Sequence, residues 1–158
     1  MLPKIATVTW LSGMTFDAQM GAHHVTMDTK PPDGADRAPS PVELALASLA
    51  ACTAMDVVSI LRKSRQPFTG LTVRAEGVRA EEHPRRYTQV TLVYEVHGEG
   101  VDRRAVERAV ALSEEKYCSV SATFRESTAI DTRVELIDSR AESVDTRAER
   151  IDAAAPVA

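Results

Sequence analysis

Two cysteines, Cys52 and Cys118, are the residues best suited to chemistry in this sequence of 158. They stand 66 positions apart, with no C-x-x-C pair and no histidine placed near either. Two thiols alone do not complete a four-ligand zinc site, so no metal is expected, and no motif calls for a cofactor. In a reducing compartment such a pair is either two inert buried thiols or a redox couple, and the residues leave both open. Cys52 lies in the apolar run Leu49-Ala50-Ala51-Cys52-Thr53-Ala54-Met55-Asp56. Cys118 follows Glu115-Lys116-Tyr117, where a helix terminus and the Lys116 ammonium would favour a thiolate.

Other polar residues offer less. His23 and His24 are adjacent on a strand pattern and point to opposite faces, so they cannot share a metal. His83 and His97 fall in polar turns or edges. Asp56 follows Cys52 by one helical turn and would raise the thiol's pKa as a like-charge neighbour. It is expected instead to meet a basic residue at a subunit interface. There is no Gly-rich phosphate loop and no G-x-S-x-G nucleophile turn.

The elements that must carry these thiols are legible locally. Ile5, Thr7 and Thr9 alternate with Ala6, Val8 and Trp10, and short strands follow over 15–19 and 23–27, with turns at Ser12-Gly13 and Gly21. Residues 31–39 form a Pro- and Asp-rich loop. Ser40 then reads as an N-cap, Pro41 as the first helical residue and Glu43 as the acid of a capping box. That helix runs to Arg62 or Arg65, before Gln66-Pro67, and it is apolar on every side, as a helix surrounded by protein is. Its small residues suit close packing on a symmetry mate. Leu71, Val73 and Ala75 mark a further strand, and Val90, Leu92, Tyr94 and Val96 its partner, joined through the polar segment 80–86. A second helix spans Val101 or Asp102 to Lys116, and Ile130, Thr132, Val134 and Leu136 make a last strand. The order β-β-β-α-β-β-α-β indicates α+β with antiparallel sheets. Residues 138–151 repeat themselves over seven positions, with Ala141, Val144, Ala148 and Ile151 at heptad-like spacing. We take 1–137 as the domain and 138–158 as a helical or partly disordered tail.

Composition excludes several classes. With 44% hydrophobic and 27% charged residues the chain can bury a core. Aromatics are only 4% and the net charge is −4, which suits neither base stacking nor phosphate binding. The longest apolar run, Leu44 to Ala51, is broken by Ser48, and the start lacks the pattern of a secretory signal. A cytoplasmic protein with no membrane or nucleic-acid partner is expected.

The segment Ala38-Pro-Ser-Pro-Val-Glu-Leu-Ala-Leu-Ala-Ser-Leu-Ala-Ala-Cys52-Thr-Ala-Met-Asp-Val-Val-Ser-Ile-Leu61 resembles the central-helix signature of the OsmC/Ohr family, the osmotically inducible and organic hydroperoxide resistance proteins. The segment Ala109-Val-Ala-Leu-Ser-Glu-Glu-Lys-Tyr-Cys118-Ser-Val resembles its second signature, and the likeness is nearest to the YhfA-like branch. The resemblance runs from Ile5 to about Leu136. It implies an OsmC-like fold of antiparallel sheets wrapped around a long central helix, in an intertwined homodimer. It also implies that Cys52 is peroxidatic and Cys118 resolving, with an organic hydroperoxide as substrate and a dithiol as reductant, in defence against oxidative stress. The family's hydroperoxide reductases add a Glu directly after the helix-starting Pro and an Arg from the N-terminal strands. Here Val42 follows Pro41 and the acid is Glu43. Residues 1–36 hold no Arg, which leaves Arg37 as the candidate. The alternative is a non-catalytic OsmC-like dimer that binds a small apolar ligand.

Overall fold

The computed structural model describes residues 3–138. The heptad-like repeat therefore lies, beyond Asp138, outside the described residues. The contacts among the described residues gather into two units that divide between Ala47 and Ser48.

In the first unit the alternating N-terminal stretch forms an antiparallel meander of β1 (Thr7–Ser12), β2 (Thr15–Met20) and β3 (His23–Met27). Ala18, the buried centre of β2, pairs with Val8 on one side and Val25 on the other. β1 is exposed along its whole length, and its Trp10 is 63% exposed. The loop that follows is organised by a buried carboxylate. Asp28 accepts backbone N–H groups from Thr29 at 2.8 Å, Ala35 at 3.3 Å and Arg37 at 3.1 Å. Those bonds, with the Arg37 charge, hold the Asp28 carboxyl below its ordinary range. Gly34 is required here, because a Cβ would stand 2.1 Å from the Thr29 carbonyl oxygen and 2.6 Å from the Asp28 carboxylate.

α1 spans Pro41–Lys63, starting where the Ser-Pro signal predicts. The capping box forms: Glu43 Oε2 accepts from Ser40 N at 2.8 Å and Ser40 Oγ at 2.7 Å. Leu49, Thr53, Val57 and Leu61 make one buried stripe at four-residue spacing, while Met55 is 73% exposed. By length and mean hydropathy, 2.0, α1 could cross a bilayer. Its buried Thr53 and half-buried Asp56 are instead hydrogen-bonded inside the second unit, as in a core helix.

That second unit is built on β5 (Tyr87–His97), whose Val90, Leu92, Val93, Tyr94 and Val96 are all fully buried. Residues of both parities are covered because β5 is the central strand, between β4 (Gly70–Arg79) and β6 (Ala129–Ile137). The expected antiparallel pairing holds for β1–β2, β2–β3 and β4–β5, but β6 joins β5 in parallel, with Tyr94 opposite Val134. A parallel neighbour needs a long crossover, and the helical segment between β5 and β6 supplies it. That segment is also more broken than its sequence predicts. α2 covers Arg103–Leu112, capped by Asp102, whose side chain accepts from Arg104 N. A single π-turn follows over Ser113–Tyr117, and α3 runs Ser119–Arg125.

Candidate functional site

Cys52 sits mid-way along α1, where four-residue spacing puts Asp56 on the same side one turn later. Cys118 sits in the break between the π-turn and α3, with an extended backbone at φ −72°, ψ 101°. Its own N–H closes the π-turn on the Ser113 carbonyl at 2.8 Å, and its Sγ accepts from Ser121 N at 3.3 Å. Glu114 ties the junction together by accepting from Ser121 Oγ at 3.0 Å and Arg125 Nη2 at 2.7 Å.

These placements bring the two thiols together. Both sulfurs and a carboxylate oxygen of Asp56 lie within 4.8 Å of one another. Both cysteines are free; Cys52 is half-buried, whereas Cys118 is only 3% exposed. Burial, and the Cys52 thiol beside it, push the Cys118 thiol up, against the lowering effect of Ser121. The thiolate-favouring setting expected from Lys116 is not realised. That side chain is exposed, with its ammonium 5.5 Å from the Tyr117 ring centroid.

A buried hydroxyl chain stands behind the carboxylate. Ser113 Oγ is 2.9 Å from Asp56 Oδ2, Thr53 Oγ1 is 2.9 Å from Ser113 Oγ, and Tyr94 OH is 2.7 Å from Thr53 Oγ1. A carboxylate only accepts, so Ser113 donates to Asp56, Thr53 to Ser113 and Tyr94 to Thr53. Tyr94 is held neutral, because burial drives its phenol further from ionisation. A cavity of about 370 Å³ opens beside this group, bordered by Asp56, Ile60, Lys63, Leu112 and Tyr117.

Of the four site residues expected from the sequence, Cys52 and Cys118 come together in the second unit. Arg37 and Glu43 belong to the first. The Arg37 side chain is exposed and its backbone N–H is given to Asp28, while Glu43 serves the helix cap. In the chain itself Asp56 meets the Ser113 hydroxyl rather than a basic residue. Its spacing from Cys52 was the available signal. Ser113 and Tyr94 carried none, being 57 and 38 positions from Asp56.

A thiol pair between a mid-helix position and a helical break, on this α+β frame, defines the class. The chain belongs to the OsmC-like protein family, whose profile matches residues 33–133. It is similar to Protein YhfA of Escherichia coli (strain K12), at 39% identity over 132 residues that cover 83% of this chain and 96% of that protein. Among solved structures it is similar to a hypothetical protein from Aquifex aeolicus VF5, with 32% identity, a TM-score of 0.78, and 87% and 98% of the two chains covered. An organic hydroperoxide resistance protein OsmC from Legionella pneumophila shares the fold at a TM-score of 0.63 and 16% identity, over 85% of this chain and 97% of that one. The family resemblance and the α+β OsmC-like fold are thereby borne out.

Proposed function

We propose that the chain is a thiol-dependent peroxidase that reduces organic hydroperoxides through Cys52 and Cys118, as a cytoplasmic homodimer serving oxidative-stress defence. The observation that carries this reading is the approach of the two free thiols to within 4.8 Å. Cys52, the more accessible, gives its proton to water and attacks the hydroperoxide as the thiolate: an S–O bond forms as the O–O bond breaks, and the departing alkoxide takes up that proton through water to leave as the alcohol. Cys118 then attacks the Cys52 sulfenic acid, forming the disulfide and releasing water. A dithiol reductant returns both to thiols by exchange. Arg37 is kept as the candidate to favour the Cys52 thiolate and Glu43 as the candidate acid, on the family resemblance alone. The hydroperoxide resistance name of the Legionella protein supports the substrate class. Exposed Met55 on α1 and Trp10 on β1 support a second copy covering these faces.

Mixing reduced protein with an alkyl hydroperoxide should consume the peroxide and give a Cys52–Cys118 disulfide. Cys52→Ser should consume none, Cys118→Ser should stop at the sulfenic acid, and Arg37→Ala should slow the first step. Thiols left intact under excess peroxide would refute the reading.

One observation favours the non-catalytic alternative. A cleft of about 250 Å³ in the first unit is lined by Val8, Met14, Phe16, Met27 and Pro41. An apolar molecule retained in native mass spectrometry, together with thiols inert to peroxide, would support it.

A further inference from the structure

Three donors, two thiols and one carboxylate, converge where the sequence pointed only to the two thiols. Cys52 and Asp56 project from one side of α1, and Cys118 meets them from the helical break, with all three donor atoms within 4.8 Å. Tetrahedral zinc with thiolate and carboxylate ligands sets its sulfurs about 3.8 Å apart and each sulfur about 3.5 Å from the oxygen. Closing onto a metal therefore asks for a movement of at most about 1 Å, which the non-helical backbone at Cys118 can supply.

The surroundings are those of a ligand set. Asp56 gives one oxygen to Ser113 Oγ, which leaves its other oxygen for a metal, and Ser113 is oriented in turn by Thr53 and Tyr94. Cys118 Sγ already accepts a backbone N–H, as metal-bound thiolates do. Among the described residues Asp56 has no ion-pair partner, so two thiolates and a carboxylate would stand together uncompensated. The cavity bordered by Asp56 and Tyr117 gives a way in. Thiolate ligands select soft or borderline ions over magnesium or calcium.

We infer that the reduced Cys52–Asp56–Cys118 cluster binds one zinc ion per chain, with a fourth position open to water or a ligand. This site shares both thiols with the peroxidase reading and would compete with it, but it needs no peroxide chemistry and is tested without it. Binding displaces the two thiol protons, and a Cys52–Cys118 disulfide, having no thiolate to offer, cannot hold the ion.

The test is a titration of reduced, metal-free protein with zinc against a chromophoric chelator, repeated with cobalt to read thiolate-to-metal charge transfer. One equivalent per chain is expected. Cys52→Ser and Cys118→Ser should each lose the charge-transfer band. Asp56→Asn should weaken binding at least as much as Ser113→Ala, which removes an outer-shell partner and should cost about 10–100-fold. Should Asp56→Asn fail to fold by circular dichroism, oxidising the wild-type protein to the disulfide must still abolish binding. No stoichiometric zinc on the reduced wild type would overturn the proposal. So would wild-type affinity in folded Asp56→Asn or in either cysteine variant.

Discussion

Oxidising the thiol pair should stabilise the chain by an amount that follows from its geometry. A Cys52–Cys118 disulfide closes a loop across 66 positions. Chain-entropy accounting for that loop destabilises the unfolded state by about 4 kcal/mol at 25 °C. The folded state returns part of this. The sulfurs start within 4.8 Å and must close to about 2.05 Å. Cys52 is held mid-way along a 23-residue helix, so the movement falls on Cys118. Its bond from Ser121 N is then strained or lost, at about 1 kcal/mol. The net gain should be about 3 kcal/mol, or about 6–12 °C in Tm for a chain of this size. Urea unfolding of metal-free reduced and peroxide-treated protein, at one fixed concentration, measures it. Peroxide-treated Cys118→Ser should show no gain. An unchanged or lowered midpoint in the oxidised wild type, or the same gain in Cys118→Ser, would refute the reasoning.

Thr53→Val should cost about 2 kcal/mol by orphaning the buried Tyr94 hydroxyl, while adding Tyr94→Phe should recover part of that loss, because the unpaired group is then gone; strictly additive losses in urea unfolding would dissolve the coupled chain. Asp28 has a folded pKa below its unfolded value, so its contribution is present above about pH 4 and is lost as pH falls through the folded pKa. Asp28→Asn should therefore lower stability at neutral pH and flatten the acid limb of a pH–stability profile, and an unaltered limb would contradict the loop's dependence on this carboxylate. Light scattering should give twice the 17.2 kDa chain mass, against which a stable native monomer would count. Removing residues 139–158 should leave fold and assembly intact, and loss of soluble protein would make that tail part of the packing.

Much of the frame was legible because its signals are local. Ser40, Pro41 and Glu43 lie within one helical turn and announced the start of α1, and Asp102 announced α2. Alternation located the strands, since a side chain's face in a strand depends only on its immediate neighbours. The two cysteine signatures carried the family. The site itself was only half legible. The residues alone left Cys52 and Cys118 open between inert thiols and a redox couple, the family resemblance implied the couple, and Asp56 stood only as a neighbour of Cys52 one turn away. The approach of the thiols, the relay from Tyr94 through Thr53 and Ser113 to Asp56, and the parallel seat of β6 all arise in the tertiary structure. The contacts concerned join residues 40 to 66 positions apart. No periodicity or cap encodes such a contact; it exists only once β5, α1 and the helical break have packed together. The broken second helix has the same origin: its local pattern reads as continuous to Lys116, and the long-range bonds of the Ser113 hydroxyl to Thr53 and Asp56 of α1 hold it where it opens to present Cys118.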